Sequence, residues 1–293
     1  MSRGSRVADR GQWVWDVALT SSDRVADPSF GGTRQAVRPL SVRGYGPGVV
    51  KLAGAASTAV RDLLTGPARS GRLVAAFPRS AYVDLGGRLV SLEAADGLRL
   101  PCAVTLGVLA RKHPLADLAP GDLVTAGDRR LVVGDLVVEV GRWWAPSRPR
   151  DATAPAPGAA GVPEAAPGWD RLVLGLLGLG PGLTPAGDDL LAGLLVGLSA
   201  RPDLREPLAA AVRRHAPTRT TWLSAELLRL ATAGLAVPAV VAVADALAGH
   251  GGDDALPRAL PALLAVGHTS GPALARGLLL AAATTGRGQA LAA

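Results

Sequence analysis

The sequence predicts an α+β protein in which a β-rich, barrel- or sandwich-like domain precedes an all-helical bundle. Residues 37–145 contain short apolar runs separated by turn residues, as in small barrels and sandwiches. Residues 146–168 form a tract rich in Pro, Ala and Gly, which is typical of a linker. Residues 169–293 then read as successive Ala- and Leu-rich helices with short connections. Residues 1–36 show no sustained period, so we expect a poorly ordered lead-in.

The β-rich part is predicted to contain a hairpin over residues 81–92. Its turn falls at Gly86-Gly87, because consecutive glycines suit the positive φ angles of a tight turn. A helix is expected over residues 56–64. Further strands are predicted over residues 72–76, 101–109, 122–125, 130–133 and 136–140.

The part after the linker is dominated by Ala and Leu and has few strand signals. Small residues allow helices to approach one another closely, which favours a compact arrangement. Helices are predicted over residues 170–177, 187–199, 204–215, 221–233, 238–248, 256–265 and 271–283.

The composition excludes several classes of protein. Hydrophobic residues make up 48% of the chain, enough to exclude disorder over the whole length. Aromatic residues make up only 3%, which argues against a binder of single-stranded nucleic acid, because such proteins stack bases on aromatic rings. The net charge of +7 is spread along the chain without a basic stripe, so no nucleic-acid partner is expected, although the charge would attract an anionic substrate.

The single cysteine, Cys102, excludes an internal disulfide framework and a cysteine-rich metal site. Its apolar setting favours a buried residue over a reactive thiol. The basic N-terminus is not followed by an apolar segment, and the most apolar later stretch, 231–249, contains Pro238 and Asp245. We therefore expect a cytoplasmic protein with no membrane association, no metal and no cofactor.

The most unusual segment reads Gly-Leu-Gly-Pro-Gly-Leu-Thr-Pro-Ala-Gly-Asp-Asp over residues 178–189. Its glycines would form a loop whose backbone N–H groups bind an anion, with Thr184 as the helix N-cap. Asp188 and Asp189 would then lie in the first helical turn, where the helix dipole favours acids. The alternative is a capped helix start without a ligand. The segment matches neither a P-loop nor a dinucleotide-binding fingerprint.

A second segment repeats part of the first. The pattern Gly-x-x-Leu-x-x-Gly-Leu-Leu occurs at 187–195 and again at 271–279, and a threonine precedes both copies. Two such loop–helix units would face each other across a shared site. His268, which precedes the second copy, is a candidate general base or anion donor, or else a structural residue.

A third patch covers residues 213–224 and contains Arg219, Thr220, Thr221 and Ser224. These side chains would line a polar pocket at a helix N-terminus, or would only cap that helix. The loop at 250–254 contains metal-capable residues, but their loose spacing predicts no metal site.

Together these three segments resemble the AllH family, whose members are subunits of bacterial oxamate carbamoyltransferase. The first motif is long and specific, and the resemblance covers about residues 170–280. The chain departs from the family pattern at Ala186, where serine is expected, and at Pro272-Ala273, where a polar or acidic pair is more usual.

The resemblance implies carbamoyl transfer between carbamoyl phosphate and oxamate, giving oxalurate and phosphate, in the use of purine- or allantoin-derived nitrogen. It also implies other carbamoyltransferase subunits as partners and a small anionic substrate. Asp188, Asp189 and His268 are the candidate catalytic residues. The candidate substrate-binding residues are Gly180, Gly182, Thr184, Gly187, Arg219, Thr220, Thr221, Ser224, Thr269, Ser270 and Gly271.

Two other hypotheses remain open at the level of sequence. One is a non-catalytic structural or regulatory subunit whose motifs form an assembly interface. The other is a nucleotide or magnesium-phosphate binding protein in which the two acids hold Mg²⁺. In the enzyme hypothesis, Arg219 or Arg276 would supply positive charge to the substrate.

Overall fold

The structure, a computed structural model, describes residues 49–153 and 167–285, which lie within one compact unit, Tyr45–Ala293. It confirms the α+β class and shows a closed eight-stranded barrel followed mostly by helices. The expected lead-in at 1–36 lies outside the described residues, as does most of the expected linker. The division of the chain into separate domains stays a prediction.

The barrel is formed by strands numbered here in chain order. Neighbouring strands follow the order β1-β5-β4-β3-β2-β6-β7-β8, and β8 pairs with β1 to close the barrel. The β1–β8 and β4–β5 pairs are parallel and the others are antiparallel. The strands are β1 (Val50–Ser57), β2 (Arg69–Ala76), β3 (Ser80–Asp84), β4 (Leu89–Glu93), β5 (Ala103–Leu106), β6 (Leu123–Gly127), β7 (Arg130–Val133) and β8 (Leu136–Trp144).

The predicted hairpin is confirmed as the β3–β4 pair, with Gly86 and Gly87 at φ +71° and +84°. The prediction for residues 56–64 was wrong at its start, because residues 50–57 form β1 and the α-helix α1 covers only Arg61–Thr65. The sequence of β1 has little apolar alternation, so its pairing with β5 and β8 specifies the strand rather than its own propensity.

One outer face of the β3–β4 pair carries polar side chains. Tyr82 lies directly opposite Ser91, and Ser80 lies opposite Glu93. Opposed residues and residues two apart along a strand share a face, so all four point to the same side of the sheet. Val90 and Leu92 point to the other side, and every residue of β4 is buried. Because both faces of β4 are buried, this polar face must be covered by the helices.

The helices of the C-terminal part lie close to their predicted positions, although the helix predicted over residues 204–215 extends further at its C-terminal end. Pro217 is in the last turn of α4, which continues to Arg219. No helix in the described ranges has both the length and the apolar character needed to cross a bilayer. The helices are α2 (Pro167–Leu176), α3 (Ala186–Gly197), α4 (Pro202–Arg219), α5 (Trp222–Thr232), α6 (Pro238–Leu247), α7 (Ala255–Leu264) and α8 (Ser270–Thr284).

Helix α5 packs against the polar face of the barrel. The rings of Tyr82 and Trp222 lie 5.4 Å apart between centroids, close enough for aromatic packing. Glu226, which is buried on α5, lies 3.5 Å from the guanidinium Nε of Arg88 in the β3–β4 turn. It also pairs with Arg229 at 2.6 Å. A buried carboxylate is energetically unfavourable unless it is paired, so the contact between Glu226 and Arg88 holds α5 against the barrel.

The described part of the predicted linker, residues 146–153, lies along the helices. Ser147 forms a β-bridge with Ala236, and the Thr153 backbone N–H donates to the Ser199 carbonyl at 3.0 Å. The fully buried guanidinium of Arg205 donates to the Thr153 carbonyl at 3.1 Å. These contacts hold the chain between the barrel and the helices in place.

Candidate functional site

The Gly-rich loop enters α3 with the backbone geometry that its sequence suggests. Gly178, Gly180 and Gly182 have φ angles of +74°, +115° and +93°, which only glycine adopts without strain. Helix α3 begins at Ala186, one residue before the predicted range of 187–199, and its N-cap is Pro185 rather than Thr184, without a side-chain cap. The Thr184 hydroxyl is instead 3.0 Å from the hydroxyl of Ser270, the first residue of α8.

Asp188 is fully engaged within the protein. Its Oδ1 accepts the Gly178 backbone N–H at 2.9 Å, and its Oδ2 accepts the Thr220 hydroxyl. Burial raises the pKa of Asp188, and these hydrogen bonds partly oppose that rise. Asp188 therefore connects the loop, α3 and the end of α4.

Asp189 has a different environment. It is 6% exposed, and its Oδ2 is buried without a hydrogen-bond partner among the described residues. Burial raises its pKa to about 7, the nearby charge of Asp188 adds to the rise, and a hydrogen bond from Ser270 opposes it. A buried carboxyl oxygen without a partner is unfavourable, so it is a feature that needs an explanation.

Asp189 lines a cavity of about 400 Å³ between the barrel and the helices. Thr184 and Ser270 lie on the helical side with it, and Tyr82 and Glu93 lie on the barrel side. The remaining wall is mostly apolar, as in many small-molecule sites. Its apolar residues include Leu100, Leu183, Leu223, Leu227, Val240 and Leu274.

Glu93 is the second carboxyl group of the cavity. It is 2% exposed, and its Oε1 accepts the Ser91 hydroxyl. Burial raises the pKa of Glu93 to about 8, against the lowering effect of that hydrogen bond. Among the described residues that line the cavity, Arg79 is the only basic one; its side chain is 65% exposed and pairs with Asp96 at 3.0 Å. Of the described residues that line the cavity, the buried ones thus include two carboxyl groups and no cation.

The two repeated units do face each other, because α3 and α8 pack together. A Cβ at Gly193 would lie 2.2 Å from the Leu274 carbonyl oxygen, and a Cβ at Gly277 would lie 2.2 Å from the Leu190 carbonyl oxygen. Gly193 and Gly277 occupy equivalent positions of the repeat, as do Leu190 and Leu274. The contact is therefore reciprocal, and glycine is required on both sides for the helix backbones to approach.

Two of the predicted substrate-binding glycines also serve packing. A Cβ at Gly187 would lie 2.0 Å from the Leu176 carbonyl oxygen at the end of α2. A Cβ at Gly271 would lie 2.2 Å from the Leu263 carbonyl oxygen in α7. Both glycines are buried against the preceding helix of their unit, which accounts for them without a ligand.

The third predicted patch, residues 213–224, holds the Gly-rich loop in place through hydrogen bonds. Thr221 is the N-cap of α5, where its hydroxyl accepts the Ser224 backbone N–H at 3.1 Å and donates to the Leu183 carbonyl. The Thr220 hydroxyl donates to Asp188, and a hydrogen bond from Ser224 also lowers the pKa of Asp188. These hydroxyl groups thus hold the loop against α3 and α5.

Other predicted residues are on the surface. Gly180, Gly182, Arg219, His268 and Thr269 are exposed and do not line the cavity. The structure brings together Thr184, Asp189 and Ser270, and supports them through Asp188, Thr220, Thr221 and Ser224. Cys102 is buried, and burial raises its pKa to about 12, which makes the thiol a poor nucleophile.

Sequence reasoning missed the barrel side of the cavity. The signal was present as polar residues at alternate positions, Ser80 and Tyr82 in one strand and Ser91 and Glu93 in the next. Such alternation normally indicates a solvated sheet face. Only the helices packed over it turn these side chains into a cavity wall.

The free energy of unfolding is expected to fall as the pH rises from about 4 to about 8. Asp189 and Glu93 have raised pKa values when folded, so the folded state binds more protons than the unfolded state within this window. Urea unfolding at a series of pH values measures the slope. The double variant Asp189→Asn/Glu93→Gln is expected to flatten it, and an equal slope in this variant would contradict the assignment.

Barrel, helices and the cavity between them define an α+β protein with two buried carboxyl groups facing a small-molecule-sized space. Residues 176–282 match the family model described as oxamate carbamoyltransferase subunit AllH. The resemblance predicted from the motifs is thereby confirmed over this segment, which contains Asp188, Asp189 and Ser270. Comparisons with curated proteins and with solved structures gave no significant match.

Proposed function

We propose that the chain is a subunit of an oxamate carbamoyltransferase-like enzyme and that the cavity beside Asp189 binds its small anionic substrate. The substrate would be carbamoyl phosphate or the pair oxamate and oxalurate, held where the Gly-rich loop enters α3. One observation carries the proposal: the buried Oδ2 of Asp189 lacks a partner and lines the cavity within the segment that matches the family model. The other carbamoyltransferase subunits would be its partners.

The arrangement supplies orientation rather than a strong nucleophile. Asp189 would accept an N–H from the substrate, and the Thr184 hydroxyl would donate to one of the substrate oxygens, while the Ser270 hydroxyl donates to Asp189. Asp188 would act as a positioning residue, because its contacts fix the start of α3. Holding a substrate in a reactive geometry accounts for much of the rate in transfers of this kind. His268 and Arg219 lie outside this arrangement.

Replacing Asp189 by asparagine is expected to lower carbamoyl transfer by about 100-fold, a loss that a small misplacement of a bound substrate can cause. At neutral pH the free energy of unfolding should stay equal or rise, because an unpartnered buried carboxyl group is removed. The assay measures consumption of carbamoyl phosphate in the presence of oxamate, with the chain combined with its partner subunits.

Asp203→Asn is the matched control, because Asp203 is an exposed acid in the first turn of α4 that pairs with Arg201. This variant should retain wild-type activity. Full activity of Asp189→Asn, or the lack of carbamoyl transfer in every combination of subunits, would overturn the proposal.

The second candidate function is that of a structural or regulatory subunit. It is favoured because several motif residues make contacts within the chain rather than line the cavity. Asp188, Gly187 and Gly271 all serve contacts within the chain. Unfolding temperatures of the isolated chain with carbamoyl phosphate, phosphate, nucleotides and dicarboxylates separate the two candidates, because a bound ligand raises stability by mass action. A magnesium site gains less support, since both oxygens of Asp188 already accept hydrogen bonds.

A further inference from the structure

Glu93 and Asp189 are two deeply buried carboxyl groups that reach one cavity from different parts of the chain. Each accepts a hydrogen bond from one hydroxyl, from Ser91 and Ser270 respectively. Asp189 keeps one oxygen without a partner among the described residues. Glu93 lies outside the segment that matches the family model and within the barrel.

The protonation of these groups decides which ligands they can recognise. Burial raises the pKa of Glu93 to about 8 and that of Asp189 to about 7, so at neutral pH Glu93 is mainly protonated. A protonated carboxyl group offers an O–H donor and a carbonyl acceptor side by side. An amide or urea offers the complementary pair, a carbonyl acceptor beside an N–H donor.

A phosphate does not match this site. It offers acceptors only, it carries negative charge, and a cavity that contains carboxyl groups and apolar walls would not replace its hydration. The one basic residue lining the cavity in the described part of the chain, Arg79, is at its exposed side and already pairs with Asp96.

We propose that this cavity recognises the uncharged carbamoyl or ureido end of its ligand, and that Glu93 is the barrel residue that sets this specificity. The inference deepens the proposed function and rests on it: it names the carbamoyl group, which oxamate, oxalurate and carbamoyl phosphate all carry, as the part of the substrate that this cavity recognises.

Other titratable and charged groups near Glu93 and Asp189 also affect how ligand binding depends on pH. Glu93 faces Tyr82 on β3 and the buried Cys102 before β5, and burial raises the pKa of both to about 12. Asp188 precedes Asp189 in the same helical turn, and its charge adds to the rise of the Asp189 pKa. Arg79 and Asp96 line the cavity as an exposed ion pair. Glu93 is thus the group in the cavity whose titration is centred near pH 8.

The test is titration calorimetry of the full chain with five probes: oxamate, oxalurate, propionamide, propylurea and propyl phosphate. The four amide or ureido probes are expected to bind, and propyl phosphate is not.

Glu93→Met should weaken the binding of the amide and ureido probes by about ten-fold, the loss of one good hydrogen bond. Glu93→Gln keeps a donor and an acceptor, so it should bind the same probes, and its binding should lack the fall centred near pH 8. Wild-type binding should weaken as the pH rises through 8.

Glu139→Met and Glu139→Gln are the matched controls, because Glu139 is an exposed glutamate on β8 that pairs with Arg130. Thermal unfolding of each variant checks that it is folded. Unchanged probe binding in Glu93→Met, or binding of propyl phosphate equal to that of the amides, would overturn the inference.

The outcome also separates this inference from the proposed function. Asp189-dependent carbamoyl transfer without Glu93-dependent binding of amides would leave the proposed function standing and refute the inference. Glu93-dependent binding of propionamide and propylurea without carbamoyl transfer in the assembled enzyme would support recognition of the carbamoyl group and refute the proposed enzyme.

Discussion

Asp188→Ala is expected to lower the free energy of unfolding by about 2–4 kcal/mol, because it removes the acceptor of the buried Thr220 hydroxyl and of the Gly178 backbone N–H. The Gly178 N–H and the Thr220 hydroxyl would lose their partner, and water cannot easily replace it at a buried position. Asp188→Asn should lose about 1 kcal/mol, since an amide oxygen still accepts the Gly178 N–H. Urea unfolding followed by circular dichroism measures both.

Asp203→Ala again provides the control, because its carboxylate is exposed and its ion pair with Arg201 is on the surface. Its effect should be much smaller than that of Asp188→Ala. Equal unfolding midpoints for Asp188→Ala and the wild type would show that the carboxylate does not hold the loop to the helices.

Gly193→Ala and Gly277→Ala are each expected to destabilise the protein by about 2–3 kcal/mol, because the new methyl group would overlap a carbonyl oxygen of the facing helix. The two substitutions affect one interface, so the double variant should lose less than the sum of the two single losses. Once the helices are forced apart by the first methyl group, the second finds more room.

Gly175→Ala is the matched control for these variants. Gly175 is an exposed residue of α2, and a Cβ there would meet nothing within 4 Å. Because alanine favours the helix over glycine, this substitution should stabilise the protein, by up to about 1 kcal/mol. A stabilising effect of Gly193→Ala would contradict the close contact between α3 and α8.

Much of the secondary structure and half of the site could be predicted from local sequence. The strand Arg130–Val133, the Gly86-Gly87 hairpin and most helix positions follow from turn residues and apolar spacing. Thr184, Asp189 and Ser270 could be found because they belong to compact motifs. The sequence shows that glycine is abundant in these motifs, but it does not show whether a given glycine binds a ligand or allows a close helix contact. That depends on the facing helix, as the close approach of Gly193 to the Leu274 carbonyl oxygen shows.

Features that depend on distant pairings could not be predicted in the same way. Strand β1 is specified by β5 and β8, more than 45 residues away. Glu93 becomes a cavity residue only when α5 covers the outer face of β4. His268, a chemically versatile side chain near a motif, is exposed and outside the cavity, and its catalytic role stays a prediction.

The parallel pairing of β1 with β8 has a consequence for biosynthesis. The ribosome produces β1 first and β8 last among the barrel strands, so β1 and β7 each keep an unpaired edge until residues 136–144 emerge. Open strand edges invite pairing with other chains. Nascent chains that stop before Trp144 are therefore expected to aggregate more readily than longer ones, because β8 is the strand that closes the barrel.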